Sequence, residues 1–458
     1  MAEESEVSNL EVHDGGTTGR TLVVFAEDAS KESVARVTGV SSARMAHSAD
    51  FGIQALDVDE VLRDTGAVYL DELKVAVMEG PPARASAAML GVREEANDPS
   101  IVAMEPERWV FALEILDQMR PALAPDVAAA IENSRDYLRG YRDATTNLYA
   151  KLFEGAEPIR EESLGGHALP RWSDTAALTW GLAATKADRS AFTGRGINVA
   201  VLDTGIDFQH PDFQGRPIVS ASFIAGETEQ DVVGHGTHCI GTALGAKSPA
   251  GTRRRYGVAG EASIHAGKVL NNSGSGADGG ILAGIDWAIR NNCRIVSMSL
   301  GAPTRPGEPF STVYETIAKR ALDRGTLIIA AAGNESSRPA VIKPVSRPAN
   351  CPSIMAVGAI DAFGRIAVFS CRATGLAGGE VDIAGPGVAV YSSWPMPRQY
   401  NTISGTSMAT PHVAGIAALY LQKTPALTAR DLWRALQQNA LALTDPRIDV
   451  GAGLVQSV

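Results

Sequence analysis

In the first third of the chain the apolar positions fall into short, separated runs. Thr21-Leu22-Val23-Val24-Phe25, Leu73-Lys74-Val75-Ala76-Val77 and Ile101-Val102-Ala103-Met104 read as strands, with a further strand near Gly52–Val58. Lys31–Val37 and Ala83–Leu90 read as helices. The resulting βαββαβ order is the split, ferredoxin-like motif, spanning 20–111 behind a flexible N-terminus, 1–19. Leu113, Leu116 and Met119, followed by Val127, Ile131, Leu138, Leu148 and Leu152, suggest two amphipathic helices within Leu113–Phe153, broken at Pro121–Pro125. Glu154–Trp172, with Gly155, Pro158, Gly165, Gly166 and Pro170, reads as a linker. A helical extension and linker therefore occupy 112–166, and 167–458 forms a separate domain. There the runs become continuously apolar: Asn198–Leu202, Ile295–Gly301 and Leu327–Ala332 read as buried strands, and Val413–Leu421 as a buried helix.

Four polar residues stand at the ends of these runs. Asp203, in Asp203-Thr204-Gly205, closes a strand, where open α/β sheets collect functional groups. His235, in Gly234-His235-Gly236-Thr237-His238, and Ser407, in Gly405-Thr406-Ser407-Met408-Ala409-Thr410-Pro411, each begin a helix. Ser407 taken alone is equally an ordinary helix cap. A serine hydroxyl becomes a nucleophile when a base removes its proton, and a buried carboxylate must hold that base in the right tautomer. Asn334, in Gly333-Asn334-Glu335, places an amide donor at another strand end.

Asp203-Thr204-Gly205-Ile206, His235-Gly236-Thr237-His238 and Gly405-Thr406-Ser407-Met408-Ala409 resemble, in order, the three signature blocks of the subtilases, the subtilisin-like serine peptidases. The resemblance covers about Trp180–Val458. Tyr256-Gly257-Val258-Ala259, Lys268-Val269-Leu270 and Gly274-Ser275-Gly276 are most similar to the proteinase K branch. It implies a doubly wound, mostly parallel α/β sheet and a triad of Asp203, His235 and Ser407. Asn334 and the backbone N–H of Ser407 would donate to the oxyanion. It also implies that Gly274, Ser275, Gly276, Ser299, Leu300 and Gly301 flank an extended peptide. Ala331, Ala332 and Gly333 would line the pocket before the scissile bond, with Glu335 at its rim favouring a basic or polar side chain. The βαββαβ segment resembles the subtilisin propeptides, which implies an intramolecular inhibitor removed by autocleavage at a site between about Arg108 and Pro170.

Other features carry less chemistry. His238 follows His235 at metal-ligand spacing, but without an intervening HExxH glutamate it reads as a packing residue. Asp212 resembles a residue of a family calcium site, yet the loop that would complete it holds Arg253-Arg254-Arg255, which repel the ion. No metal ligand is assigned and no cofactor is required, with calcium left open without a site. Cys239, close behind His235, is a candidate site of mercurial inhibition.

The 458 residues suggest more than one domain, and 45% hydrophobic content fits a globular protein. No apolar run approaches the length of a membrane helix. Met1-Ala2-Glu3-Glu4-Ser5-Glu6 has no secretory signal, and the four cysteines read as reduced thiols, so a cytoplasmic location is expected. Residues 1–166 carry 31 acidic and 15 basic side chains, and 167–458 carry 21 and 26. That division suggests two docking parts and disfavours a nucleic-acid partner. The expectation is an autoprocessed serine endopeptidase acting on peptides or proteins; the alternative is a latent binding or regulatory protein on the same scaffold.

Overall fold

The computed structural model describes residues 16–52, 54–80, 98–113, 172–375 and 378–458. The N-terminal part runs β1 (Thr17–Phe25), α1 (Lys31–Thr38), β2 (Ala46–His47), α2 (Val58–Thr65), β3 (Ala67–Leu70), β4 (Val75–Glu79) and β5 (Ile101–Ala112). Ser30 caps α1 by accepting from the Ser33 N–H, and Gly39 ends the helix at φ 72°. Asp57 and Gly66 bound α2 in the same way. The strand expected near Gly52–Val58 is not formed: its described residues are a turn and loop that lead into the Asp57 cap of α2, and the strand comes later, at β3. Thr17–Gly19, expected to be flexible, belong to β1. The helices expected over Ala83–Leu90 and Leu113–Phe153, and the linker, lie outside the described residues except for Leu113 and Trp172. The strands order as β5-β1-β4-β3-β2, with β1 antiparallel to β4 and β5.

The second part contains α3 (Trp180–Ala184), β6 (Asn198–Asp203), β7 (Ile218–Ser222), α4 (His235–Leu244), β8 (Ser263–Lys268), β9 (Ser275–Ala277) and α5 (Asp278–Arg290). It continues through β10 (Ile295–Met298), β11 (Leu300–Gly301), α6 (Thr312–Asp323), β12 (Leu327–Ala331), β13 (Met355–Ile360) and β14 (Ile383–Pro386). A hairpin, β15 (Val390–Ser393) and β16 (Tyr400–Ile403), precedes α7 (Thr406–Lys423). The main sheet has the order β14-β13-β12-β10-β6-β8-β7, and its strands pair in parallel. This is the expected doubly wound α/β sheet. The chain leaves β6 toward β8 and then returns to β10 on the other side. The switch point, where such sheets place their ligands, therefore lies at the carboxyl ends of β6 and β10.

Helix α7 is buried from Thr406 through Leu421, which is why its sequence is apolar on every side. Pro411 lies beyond its first turn and leaves the Ser407 carbonyl without the usual helical donor. The Ser299 hydroxyl, 2.8 Å away, supplies one instead. The break in the helix ladder thereby ties α7 to the end of β10.

β5 joins the two parts. Beyond its pairing with β1 it runs antiparallel to β9 and β11, with Trp109, Val110 and Phe111 opposite Ala277, Gly276 and Ser275. Ala112 and Phe111 stand opposite Leu300 and Gly301. Carboxylates of the N-terminal part meet helix starts of the second: Glu105 accepts from Thr312 N–H at 2.6 Å and Glu107 from Gly279 N–H at 2.8 Å. In the opposite direction, Arg320 donates to the carbonyls of Phe25 and Leu73 and pairs with Glu27 at 2.7 Å. Of these contacts, Arg320–Glu27 joins an acidic side chain of the N-terminal part to a basic one of the second, in the sense of the charge division in the sequence.

Close packing between β6 and α4 makes Gly236 intolerant of a side chain: a Cβ there would stand 2.3 Å from the Gly205 carbonyl oxygen. Gly236→Ala in a Ser407→Ala background is expected to cost about 1–3 kcal/mol by overpacking. Denaturant unfolding against the parent checks this, and an unchanged midpoint contradicts it.

Candidate active site

The β6 strand ends in Asp203 because its apolar run gives way there to Thr204-Gly205. Gly205 and Gly234 adopt φ 107° and 104°, values that an L side chain resists, and they let the β6 end and the α4 start approach each other. Thr204 fixes the approach by accepting from Gly236 N–H at 2.8 Å and donating to Asp231 at 2.9 Å. As a result His235 Nδ1 lies 2.7 Å from Asp203 Oδ1, both side chains being buried. The same Oδ1 accepts from Thr204 N–H at 2.7 Å. Buried Lys268 donates to the Thr204 carbonyl at 2.8 Å and pairs with Glu227, bringing positive charge under the same turn.

Burial disfavours the imidazolium, but the Asp203 carboxylate outweighs it and holds His235 well above the ordinary imidazole range. Cys239 lies 4.0 Å from His235 Nδ1 and 3.6 Å from the Ser407 carbonyl oxygen. Burial pushes its thiol up to about 11, so it stays protonated near neutrality. Asp203, His235 and Cys239 offer three ligand atoms within 4.8 Å of one another. A protonated thiol and a ring nitrogen already bonded to Asp203 make them a poor resident metal set. His238 bonds the Val390 carbonyl at 3.0 Å and burial lowers it to about 3, in keeping with a packing role. Asp212 accepts from Gly251 N–H, Tyr256 OH and Tyr400 OH at 2.6–2.9 Å, a set of donors that does not suit calcium.

Ser407 Oγ donates to the Ser299 carbonyl at 3.3 Å. Asn334 is clamped from the α7 side, its Oδ1 accepting from Thr406 N–H and Oγ1 at 2.8 Å each. That fixes the amide so that Nδ2 faces the cleft, where it donates to the carbonyl of Leu113 at 3.1 Å. The peptide next to the switch point is therefore the protein's own. Gly274 accepts from Ala112 N–H at 2.8 Å, while Ser275, Gly276, Leu300 and Gly301 form the ladders on either side. Val110, Ala112 and Leu113 are buried in the cleft.

The glycine-rich edge and the Ser299–Gly301 segment flank an extended strand as expected. Ala331 and Ala332 are buried within and just after β12, and Gly333 takes φ 113° beside them. Glu335 departs from the expected open rim: its Oε2 accepts from Ser346 Oγ at 2.8 Å and from the Cys371 thiol at 3.0 Å. The carboxylate is engaged by the protein rather than held out for a basic substrate side chain. Sequence reasoning missed Asp231, Lys268 and, above all, Trp109–Leu113. The apolar run Trp109-Val110-Phe111-Ala112-Leu113, separated from the predicted strand Ile101–Met104 by Glu105-Pro106-Glu107-Arg108, was the available signal.

A family model described as the subtilase family, peptidase S8, matches residues 194–454. Subtilisin E of Bacillus subtilis (strain 168) is 41% identical over 272 residues, covering 58% of this chain and 67% of that protein. Subtilisin of Bacillus pumilus is 40% identical over 272 residues, 58% of this chain and 93% of its own. Subtilisin DY of Bacillus licheniformis is 38% identical over 282 residues, 61% and 96% respectively. Such subtilisins are secreted enzymes, and this kinship overturns the cytoplasmic location expected from the N-terminus and the cysteines.

Replacing Asp203 by Asn removes the charge that raises His235 and leaves the burial that lowers it. The imidazole of Asp203→Asn, in a Ser407→Ala background, is expected to titrate well below that of the parent when followed by NMR. An unmoved or raised value contradicts this account.

Proposed function

The chain belongs to the subtilase family and is a serine endopeptidase, and from that premise we propose which residues act and how the enzyme is kept latent. Ser407 is the nucleophile, His235 the base, Asp203 the carboxylate that orients it, and Asn334 with the Ser407 N–H the oxyanion donors. In its neutral form His235 takes the Ser407 proton as Oγ attacks the carbonyl carbon. It then gives the proton to the departing amine, and a water hydrolyses the acyl-enzyme by the reverse sequence. The 2.7 Å Asp203–His235 bond supports the tautomer this requires. A place in the proteinase K-like branch rests on the segments beginning at Tyr256, Lys268 and Gly274.

The observation that carries the latency reading is the Asn334–Leu113 hydrogen bond. A Leu113 carbonyl that accepts from the proposed oxyanion amide, on a strand paired between β9 and β11, supports reading β5 as lying like a substrate. Residues 20–111 are thus a ferredoxin-like prodomain, extended through Leu113, and Leu113–Glu114 is the bond cut in self-processing. The cleft favours a leucine-like residue before the scissile bond. A permanently latent binding protein is the competing reading, and covalent labelling of Ser407 by a fluorophosphonate after processing excludes it.

Mass spectrometry of the wild-type protein should find the new amino terminus at Glu114, and Ser407→Ala should remain full length. Intact wild-type chain, or a cut elsewhere, contradicts the assignment. Asn334→Ala should lose about 10²–10³ in kcat, a magnitude that comes from a subtilisin itself. A loss confined to KM contradicts the oxyanion role.

Burial raises the Glu107 and Asp278 carboxyls at the prodomain contact above their ordinary range. Groups raised in the complex favour it when protonated. Their contribution is full below the ordinary carboxylate range and is lost as pH rises through the raised values. Added residues 1–113 should therefore inhibit the processed enzyme more tightly at acid pH than at neutral pH, and Glu107→Gln should flatten that dependence. Tighter inhibition at neutral pH in the wild-type pair contradicts it.

A further inference from the structure

The backbone ladder that holds β5 in the cleft runs out at Ala277, because α5 begins at Asp278 and β9 can offer no further strand. The strand in the cleft does not lose its partners there. Asp278 Oδ2 accepts from Arg108 N–H at 2.9 Å, and its Oδ1 is held by Tyr314 OH at 2.9 Å. On the other side the Arg347 guanidinium donates to the Trp109 carbonyl at 3.0 Å. Both side chains are substantially buried, so each bond is shielded from water. Beyond them, Arg108 reaches Glu308 at 3.4 Å across an open cleft of 670 Å³. Glu308 is itself held by Arg305 N–H at 2.9 Å.

Counting back from the Leu113–Glu114 bond, Trp109 is the fifth residue and Arg108 the sixth. We infer that Arg347 and Asp278 form a side-chain clamp for the backbone of the fifth and sixth residues before the scissile bond in a peptide substrate, with Glu308 favouring a basic sixth residue. This rests on the proposed function, since it treats β5 as a substrate would lie. The clamp reads backbone, so it rewards length in a substrate of any sequence. It also needs the N–H of the sixth residue, which proline lacks. Glu308 reads a side chain, but Arg108 and Glu308 are about a third exposed, so its preference is weak.

The test uses the processed enzyme and two chromogenic peptides, one spanning Val-Phe-Ala-Leu and one spanning Arg-Trp-Val-Phe-Ala-Leu. The longer peptide should be cleaved with kcat/KM about ten-fold higher, mostly through KM, the scale expected of hydrogen bonds to charged groups. Proline as the sixth residue should remove much of that gain with no change to the enzyme. Arginine over glutamate at that position should give about two- to five-fold, and Glu308→Gln should erase this preference. In Arg347→Ala, or in Arg347→Lys if the alanine variant does not fold, the ratio of long to short peptide should fall. Equal kcat/KM for the two lengths in the wild-type enzyme overturns the inference, as does a proline-insensitive gain. If neither peptide is cleaved, the proposed function itself fails and the inference goes with it.

Discussion

β5 is hydrogen-bonded along both edges, and the organisation of the protein depends on that. Its first half completes the N-terminal sheet against β1, and its second half fills the space between β9 and β11. A strand in a cleft of this kind satisfies backbone groups that either part alone would leave at an open edge. The charged contacts are arranged around it: Glu105 and Glu107 project from β5 itself onto two helix starts, and Arg320 reaches back to the carbonyls of Phe25 and Leu73. Placement of Leu113 against Asn334 follows from this register, because moving the strand by one residue would turn Val110 and Ala112 out of the cleft.

The candidate catalytic groups are held by neighbours that have no chemical role. Thr204 and Asp231 fasten the turn that carries Asp203 to the helix that carries His235. Thr406 orients the Asn334 amide from the first residue of α7. Ser299 bonds the carbonyl that Pro411 leaves free, so the proline that interrupts the helix ladder also draws the cleft wall to the serine. In each case a small polar side chain, buried and satisfied, sets a position that a mobile loop would not hold.

Much of this was legible in the sequence. The three motif blocks pointed to Asp203, His235 and Ser407 as candidates, of which the structure brings Asp203 and His235 within 2.7 Å, and the strand-end position of Asn334 followed from the apolar run before it. These signals are local, because turn glycines, strand ends and helix starts are set by residues adjacent in the chain. Gly52–Val58 misled because a short run of mixed residues carries little periodicity: it is the loop that leads into the Asp57 cap, and the helix behind it is held by the burial of Val58 and Leu62. The cytoplasmic expectation failed because neither the N-terminus nor the number of cysteines fixes where a protein works.

The sequence by itself determined the chemistry, the parallel sheet and the charge division between the two parts. Tertiary structure alone decided which segment lies in the cleft. Trp109–Leu113 is apolar in a way that suits a strand or the start of a helix, and its partners are Ser275–Ala277 and Leu300–Gly301, far along the chain. Backbone pairing carries no residue code, so such a contact leaves little trace in the sequence. The same holds for Arg347 and Asp278, which look like any charged surface residues until the fold brings them to the two sides of one strand.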